Sequence, residues 1–352
     1  MASDTTRPGK TPKYGRQQFT PRIITLEDHF ESELYTSKLP SDKAVSAALG
    51  DNWLRDRSRH LGHDMAAELR DIGASRIAAM DAAGIDLQVL SLTTPGAQAF
   101  EGELAVQVAT DANERMLGAV RAWPGRFEAF AALPTAEPAA AVRELERTVK
   151  QLGFKGAMIN SHTRGAFLDH ERYWPIFQCA QALDVPIYLH PNQPHPLLMQ
   201  SYFAGFEDLS MPVWGFAVDA STHFLRILFS GAFDAFPRLR FILGHLGEGL
   251  PFGMDRLLDH AASYVVPRRG LRRTPEDCLR ENLYVTTSGN FSVPAFMCTV
   301  QMLGVDNVMF SVDWPYESNK VAVEFLRRLP ISTDDLEKIA YRNAARVLRV
   351  QP

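Results

Sequence analysis

The chain alternates between two hydrophobic periodicities from residue 22 onwards, and this alternation restricts the folds that are open to it. Short apolar or β-branched runs predict eight strands, at residues 22–26, 86–92, 127–133, 156–160, 185–189, 239–243, 283–287 and 308–312. Apolar residues at spacings of three and four predict helices, at residues 65–83, 104–122, 139–152, 173–183, 218–236, 254–262, 293–303, 321–329 and 332–348. Parallel neighbouring strands need a connection long enough to hold a helix, so the pattern indicates an α/β fold with parallel strands.

Eight strand–helix units predict a closed (β/α)8 barrel, the TIM barrel, as one catalytic domain over residues 22–352. A doubly wound open sheet is the alternative, but the sequence after the first strand reads ITLEDHF and lacks the glycine-rich nucleotide-binding fingerprint. The polar residues 1–21 predict a flexible arm. The segments 30–64 and 191–212 are longer than a barrel needs, and both follow strand ends, where active-site loops lie. We therefore expect inserted loops at the carboxyl-terminal face.

The charge balance and the cysteines exclude several kinds of partner. With 37 Lys and Arg against 41 Asp and Glu, the formal charge of −4 provides no basic field for a phosphate backbone, so we expect no nucleic acid partner. Neither the N-terminus nor the longest uncharged stretch, 282–305, has the composition of a signal peptide or a membrane span. The three cysteines follow no metal-binding or disulfide spacing. These features predict a cytoplasmic protein with free thiols.

Polar side chains of metal-binding types stand at four of the predicted strand ends. Glu27 and His29 end the first strand, His190 the fifth, His245 the sixth and Asp313 the eighth. Residues two apart on a strand point the same way, so Glu27 and His29 share a face. A histidine after a strand is by itself more often a hydrogen-bonded structural residue. The convergence of carboxylates and imidazoles at one barrel mouth instead favours a site for a divalent cation.

Glu248 stands three residues after His245, within the sequence GHLGEGLPF. At that spacing its carboxylate can accept the ring proton of His245 and fix the imidazole tautomer. The same position also suits an acidic residue that complements the dipole of a beginning helix. The two roles are compatible, and both stay open at this stage.

Six motifs occur in order along nearly the whole chain: LEDH, GFKGAMINSH, YLHP, ILGHLGEGLPF, TTSGNF and FSVDWPYE. Together they resemble the amidohydrolase-related metal-dependent decarboxylases, which include the aminocarboxymuconate-semialdehyde decarboxylases, and are most similar to the γ-resorcylate (2,6-dihydroxybenzoate) decarboxylase branch. The resemblance implies a (β/α)8 barrel and one divalent metal ion, manganese or zinc with magnesium next. It assigns the metal to Glu27, His29, His190 and Asp313, with His245 and Glu248 paired beside it.

The resemblance also implies an activity. It predicts a carbon–carbon lyase that reversibly decarboxylates an ortho-hydroxylated aromatic acid such as a dihydroxybenzoate, without oxidation, with Asp313 as proton donor. Lys155 begins the fourth strand, at the wrong end to bridge two metals, so a single metal is expected. A mononuclear hydrolase of a small lactone or amide, with Asp313 as general base, is the first alternative. A barrel that only binds an aromatic acid or a partner is the second.

Three further residues are implied less directly by the resemblance. Asn160, at the end of the fourth strand, corresponds to a substrate-contacting asparagine or is a turn residue. Arg256 corresponds to an arginine that enters the neighbouring subunit's site in a homodimer or homotetramer, or is a surface residue of its helix. Trp214 belongs to the substrate wall or, as is more usual for tryptophan, to the core. The sequence of segment 191–212 departs from that of the nearest relatives. The resemblance therefore does not identify the ring substituents of the substrate.

Overall fold

The strands of the protein are all parallel, as the sequence predicts. In the computed structural model, which describes residues 21–39 and 52–351, the strands are β1 Ile24–Phe30, β2 Leu87–Leu92, β3 Phe127–Ala129, β4 Ala131–Ala132, β5 Ala157–Asn160, β6 Ile187–His190, β7 Phe241–Leu243, β8 Leu283–Thr286 and β9 Val308–Met309. They pair in the order β1-β2-β3 and β4-β5-β6-β7-β8-β9. Since β3 and β4 are two parts of one predicted strand, all eight predicted strand positions are occupied.

Hydrogen bonds join the two sheets at both seams. Between β3 and β4, Phe130 N donates to Leu90 O over 2.9 Å and Ala131 N donates to Gly156 O over 2.9 Å. At the other seam, Asp313 N donates to Glu27 O over 3.0 Å, next to a parallel bridge between Asp28 and Trp314. The last strand position therefore lies beside the first, as the (β/α)8 barrel requires.

Except for β3 and β4, which follow each other directly, successive strands are connected by helices. Their bounds are α1 Glu33–Lys38, α2 Trp53–Leu61, α3 Met65–Arg70, α4 Ala74–Ala83, α5 Gly102–Ala122, α6 Pro138–Arg147, α7 Trp174–Leu183, α8 Pro196–Tyr202, α9 Gly215–Leu228, α10 Ala232–Ala235, α11 His245–Glu248, α12 Leu250–His260, α13 Val266–Arg269, α14 Pro275–Asn282, α15 Val293–Leu303, α16 Asn319–Arg327, α17 Thr333–Glu337 and α18 Asn343–Leu348. Short 3-10 turns lie at Gly96–Ala99, Glu171–Tyr173, Glu207–Leu209 and Val305–Asn307, and π turns continue helices at Thr148–Leu152, Ala261–Val265 and Lys338–Arg342.

The structure divides two of the predicted helices into two helices each. The predicted helix 65–83 breaks before α4 because the Asp71 carboxylate accepts hydrogen bonds from Gly73 N and Arg76 N, which starts a new helix there. The predicted helix 218–236 breaks between α9 and α10, where Gly231 has a left-handed φ of 89°. The terminal helix begins as predicted, with the Ser332 side chain accepting from Asp335 N over 3.1 Å.

The barrel interior is apolar below the strand ends. Side chains that pack there come from every strand position: Ile24, Leu26, Leu87, Val89, Phe130, Met158, Tyr188, Ile242, Tyr284 and Met309. A second apolar layer packs between the strands and the helices. This filling leaves the polar side chains at the carboxyl ends of the strands as the floor of the mouth.

Parts of the predicted arm and first insertion lie outside the described residues, namely 1–20 and 40–51. Within 21–39 and 52–351, no helix combines the length and the apolar character needed to cross a membrane. Cys179, Cys278 and Cys298 are free thiols, as the sequence predicts.

Candidate metal centre

Four side chains from two strands, β1 and β6, and from the loop after β9 meet at the barrel mouth. Glu27, His29, His190 and Asp313 each offer one ligand atom, and these four atoms lie within 4.8 Å of one another. His190 Nε2 is 3.1 Å from Glu27 Oε1, and His29 Nε2 is 3.2 Å from Asp313 Oδ1. The structure thus brings together the four residues that the sequence resemblance assigns to a metal.

The facing atoms of this cluster lack hydrogen-bond partners. Within the described part of the chain, Glu27 Oε1, His29 Nε2 and Asp313 Oδ1 are all buried and none of them has a hydrogen bond. Buried polar atoms are normally paired, because an unpaired one costs about 1–3 kcal/mol. Carboxylate oxygen and imidazole nitrogen are ligands that zinc and manganese accept. The unpaired atoms and the donor types therefore fit one divalent cation.

An irregularity in the pairing of β1 with β2 lies beside the two candidate ligands of β1. The register between β1 and β2 shifts between Thr25 and Asp28. At this point Leu26 N and Glu27 N both donate to the Ser311 hydroxyl, over 3.0 and 2.8 Å. Two successive backbone donors on one acceptor replace the regular ladder, as at a β-bulge. Leu26 accordingly packs in the barrel interior, while Glu27 turns its carboxylate to the mouth.

Glu27 is held through one of its two oxygens. Tyr188 and Ser288 both donate a hydroxyl hydrogen bond to Glu27 Oε2, and Thr286 Oγ1 lies 2.7 Å from the Tyr188 hydroxyl. Burial alone would raise the pKa of the Glu27 carboxyl, but His245, His190 and His29 hold that pKa well below its usual value. Glu27 is therefore a carboxylate with Oε1 left to face the cluster.

The other donor atoms of the two imidazoles are occupied, which fixes their orientation. His190 Nδ1 lies 2.7 Å from Pro191 O, a carbonyl that can only accept, so Nε2 is the nitrogen with a lone pair. His29 Nδ1 lies 3.2 Å from Ser91 Oγ. Burial alone would lower the pKa of His29, but the Asp313 and Glu27 carboxylates raise it to about 9. A concentration of negative charge is thus the main electrostatic feature of the cluster.

Asp313 reaches the cluster from the loop after β9. Its backbone has a φ of 77°, an unusual left-handed conformation for a residue with a Cβ. Asp313 Oδ1 faces His29, and Oδ2 lies 3.7 Å from His245 Nε2. The side chains of Asp313 and His245 are 14% and 22% exposed, whereas those of Glu27 and His29 are 0% exposed. The mouth therefore opens on the side of Asp313 and His245.

His245 and Glu248 form one compact turn. His245, Leu246, Gly247 and Glu248 all have positive φ, so α11 is a left-handed turn and not a regular helix. His245 Nδ1 lies 2.6 Å from Glu248 Oε1. Burial would lower the pKa of His245, but Glu248 and Glu27 raise it well above its usual value. The contact expected from the spacing is present, and the regular helix α12 begins two residues after Glu248, at Leu250.

Asn160 and Trp214 occupy very different environments. Asn160 ends β5, is 2% exposed, and has no partner for its buried Oδ1 among the described residues. Trp214 precedes α9 and is 62% exposed, so the core interpretation of Trp214 is wrong. It stands two residues after the inserted segment 191–212, in which Leu197, Tyr202, Phe206 and Leu209 are also exposed.

Arg256 lies on the exposed side of α12. It lines a surface groove of about 750 Å³ together with Arg226, His260 and Tyr264. No atom of Arg256 is among the contacts of the metal cluster within the described part of the chain. The position fits a surface residue that faces away from its own mouth.

Sequence reasoning missed a cation beside the mouth. Arg57 of α2 donates to Tyr316 O over 3.1 Å and pairs with Glu317. The Tyr316 ring lies edge-on to His29 with centroids 5.6 Å apart, and Trp53 stacks on Tyr316 at 6.5 Å. The insertion after β1 therefore covers the loop that carries Asp313. No local spacing could reveal these contacts, because about 260 residues separate Arg57 from Glu317.

Comparison with known proteins gives a consistent result. The sequence profile of the amidohydrolase family matches residues 57–350. The γ-resorcylate decarboxylase of Polaromonas sp. strain JS666 is 37% identical over 339 residues, which cover 93% of this chain and 98% of that protein. A crystal structure of the dihydroxybenzoic acid decarboxylase of that organism, with bound manganese and the inhibitor 2-nitroresorcinol, is 36% identical, with a TM-score of 0.81 over 94% of this chain and 97% of the other. The 5-carboxyvanillate decarboxylase of Sphingomonas paucimobilis is 33% identical, with a TM-score of 0.84 and coverage of 94% and 99%.

Proposed function

The chain belongs to the amidohydrolase family, and from that premise we propose that it is a metal-dependent decarboxylase of an ortho-hydroxylated aromatic carboxylic acid such as a dihydroxybenzoate. The observation that carries the proposal is the set of unpaired ligand atoms at the mouth, which opens beside an acidic side chain. Relatives with γ-resorcylate and dihydroxybenzoate as substrates support the reaction class. The reaction is non-oxidative and reversible.

Glu27, His29, His190 and Asp313 would hold one divalent ion, manganese or zinc, with magnesium next. When bound, such an ion supplies positive charge that orients an anionic substrate and stabilises charge that develops on its oxygens. The protein's own contribution is the fixed direction of the ligand atoms. Tyr188 and Ser288 hold the Glu27 carboxylate, and the Pro191 carbonyl sets the tautomer of His190.

Asp313 is the proposed proton donor. In its protonated form it transfers the proton to the ring carbon that carries the carboxylate. The bond between that carbon and the carboxylate then breaks, its electron pair returns to the ring, and carbon dioxide leaves. Asp313 Oδ2 lies 3.7 Å from His245 Nε2 on the more exposed side of the mouth, which supports approach of the substrate ring from that side. General acid catalysis by a positioned carboxyl contributes on the order of 100-fold or more to the rate.

His245 and Glu248 are the proposed group that restores the proton on Asp313. His245 Nε2 is 3.7 Å from Asp313 Oδ2, while its Nδ1 is held by Glu248. The carboxylate keeps the imidazole in one orientation and favours its protonated form. Asn160, whose buried Oδ1 has no partner among the described residues, and the exposed Trp214 are proposed substrate contacts.

A screen of hydroxybenzoates for carbon dioxide release, combined with metal analysis of the purified protein, tests the proposal. We expect release from an ortho-hydroxylated acid and about one divalent ion per chain, since the four ligands make a single site. Two ions per chain would contradict the single site. Hydrolysis of a lactone or amide without any decarboxylation would favour the hydrolase alternative, and a protein that is inactive and insensitive to chelators would favour simple binding.

Arg256 is proposed to complete the site of a neighbouring subunit in a homodimer or homotetramer. It stands on the exposed side of α12 near Phe252 and Tyr264, which are 92% and 59% exposed. Large apolar side chains that are so exposed are typical of an interface. A planar guanidinium suits a carboxylate or phenolate oxygen.

Mixing two inactive chains, Arg256→Ala and Asp313→Asn, tests this arrangement. Some mixed interfaces would contain one site with both groups intact, so part of the activity should return. A mixture that stays inactive after subunit exchange has been demonstrated, or an active monomer, contradicts it. We further propose that residues 22–352 form one cytoplasmic domain.

A further inference from the structure

A buried ionic layer lies behind the metal cluster, and the proposed reaction does not use it. Asp28 stands between Glu27 and His29 in the sequence but points to the opposite face of β1, and it is 0% exposed. Arg76 on α4 is 2% exposed. Charged side chains are almost never buried to this degree unless they are paired.

Arg76 ties three elements together through one guanidinium nitrogen. Its Nη2 donates to His29 O over 2.6 Å and to Glu68 O over 2.9 Å. These bonds join the end of β1, helix α3 and helix α4. His29 is a proposed ligand, so Arg76 reaches the metal centre through the backbone of a residue whose ring faces the cluster.

Asp28 lies in the same layer without joining the ligand set. Its Oδ2 accepts a hydrogen bond from Thr25 Oγ1 over 2.5 Å. Asp28 Oδ1 and Arg76 Nε and Nη1 have no hydrogen-bond partner in residues 21–39 and 52–351. A guanidinium and a carboxylate in one low-dielectric layer each offset the cost of burying the other. Losing either would leave an uncompensated charge directly behind the two ligands of β1.

We propose that Arg76 and Asp28 are positioning residues of the metal centre: Arg76 fixes the His29 carbonyl, and with it the direction of His29 Nε2 toward Asp313 Oδ1, while Asp28 balances its charge. This inference rests on the metal site of the proposed function. Residues that orient metal ligands from behind typically contribute 10- to 100-fold to metal affinity.

The test is the dissociation constant of Mn²⁺ for the metal-free full chain, measured by competition with a chelator, with circular dichroism to verify folding. We expect Arg76→Met to weaken Mn²⁺ binding about 10- to 100-fold. At saturating Mn²⁺, kcat should recover to within a few-fold of the wild-type value, because the reacting groups are untouched. Arg76→Lys keeps the charge but loses the planar guanidinium. Its Mn²⁺ affinity should therefore lie between those of the wild type and Arg76→Met.

Arg126→Met is the matched control. Arg126 also joins α4 to a strand end, by bonds from Nη2 to Asp81 Oδ1 over 2.6 Å and from Nε to Asp86 O over 2.9 Å, but it lies at the other end of the helix. Its removal should lower thermal stability and leave Mn²⁺ affinity unchanged. The comparison of the two variants thus distinguishes a positioning role of Arg76 from a merely structural one.

Asp28→Asn keeps the test decisive if Arg76→Met does not fold. Together with Arg76→Lys it should show weakened Mn²⁺ binding in a folded protein. Wild-type affinity in both folded variants overturns the inference and leaves the proposed function standing. A wild-type chain that binds none of Mn²⁺, Zn²⁺ and Mg²⁺ overturns the proposed function, and the inference with it.

Discussion

The two sides of the metal centre differ in how tightly the fold encloses them. On the closed side, the side chains of Glu27, His29 and His190 are 0%, 0% and 5% exposed, and each has its second polar atom bonded to the protein. On the open side, Asp313 and His245 are 14% and 22% exposed and stand on left-handed backbone. The closed side therefore suits holding an ion, and the open side suits meeting a substrate and moving a proton.

Because of this difference, we expect variants of the two sides to lose different properties. Damage to the closed side should remove metal and activity together, because nothing else can take the place of a buried ligand. Damage to the open side should lower turnover while metal is largely retained.

Glu27→Gln should break the closed side. The change removes the charge that faces His29 and His190 but keeps the size of the side chain, so Mn²⁺ affinity should fall on the order of 100-fold or more and activity should become undetectable at stoichiometric metal. Chelator competition and an assay of carbon dioxide release measure the two effects. Glu128→Gln, which removes a carboxylate paired with Lys155 over 3.5 Å, is the control and should change neither. Retained affinity in Glu27→Gln would show that the closed side does not hold the ion.

Asp313→Asn should break the open side. Loss of the carboxyl removes the proton donor, so turnover should fall by a factor on the order of 100 or more. Metal affinity should weaken less than in Glu27→Gln, because three buried or nearly buried ligands remain. Single-turnover assays at saturating Mn²⁺ separate the two effects. A variant with metal and full turnover would eliminate Asp313 as the acid.

His245→Asn and Glu248→Gln sharpen the assignment of the open side. Because Glu248 acts through the ring of His245, the double variant should be hardly slower than the slower single variant. Values of kcat/KM for the four proteins of this cycle give the coupling directly. Additive losses would mean that Glu248 serves the local turn and not the imidazole.

Tyr188→Phe should weaken the closed side only partly. The change removes one of the two hydroxyls on Glu27 Oε2, so Mn²⁺ affinity should fall about tenfold while kcat at saturating metal stays within a few-fold of wild type. Adding Ser288→Ala removes the second hydroxyl and should lower the affinity further. A Tyr188→Phe variant whose kcat falls without any change in affinity would place Tyr188 on the open side.

The candidate ligands could be predicted from the sequence: they stand at or just after predicted strand ends, as His245 does too, and the resemblance to the decarboxylase family selected four of these five residues. The hydroxyls that hold Glu27 could not. Tyr188 lies 161 residues from Glu27 and Ser288 lies 261 residues from it, and both resemble ordinary residues of a buried strand or turn. The signal for Tyr188 was the face it shares with His190, two residues later on β6.

Tertiary contacts also explain the errors in the predicted elements. The apolar periodicity runs without a break from residue 65 to residue 83, but Asp71 starts a new helix and so brings Arg76 against His29. The predicted strand at 308–312 ends at Met309: further along, the backbone N and O of Ser311 both pair with the Thr287 hydroxyl and not with the backbone of a neighbouring strand. In both places a side-chain hydrogen bond, invisible to periodicity, ends the regular element.

The two hydroxyl donors on Glu27 Oε2 have a consequence for denticity. With that oxygen engaged, Glu27 can give a cation only Oε1, so it is limited to a monodentate role. The protein then contributes four donor atoms in all. An ion such as manganese, which accepts about six in an octahedral arrangement, would keep roughly two coordination positions free. A chelating hydroxy acid would need two such positions, and a second carboxylate oxygen from Glu27 would take one of them away.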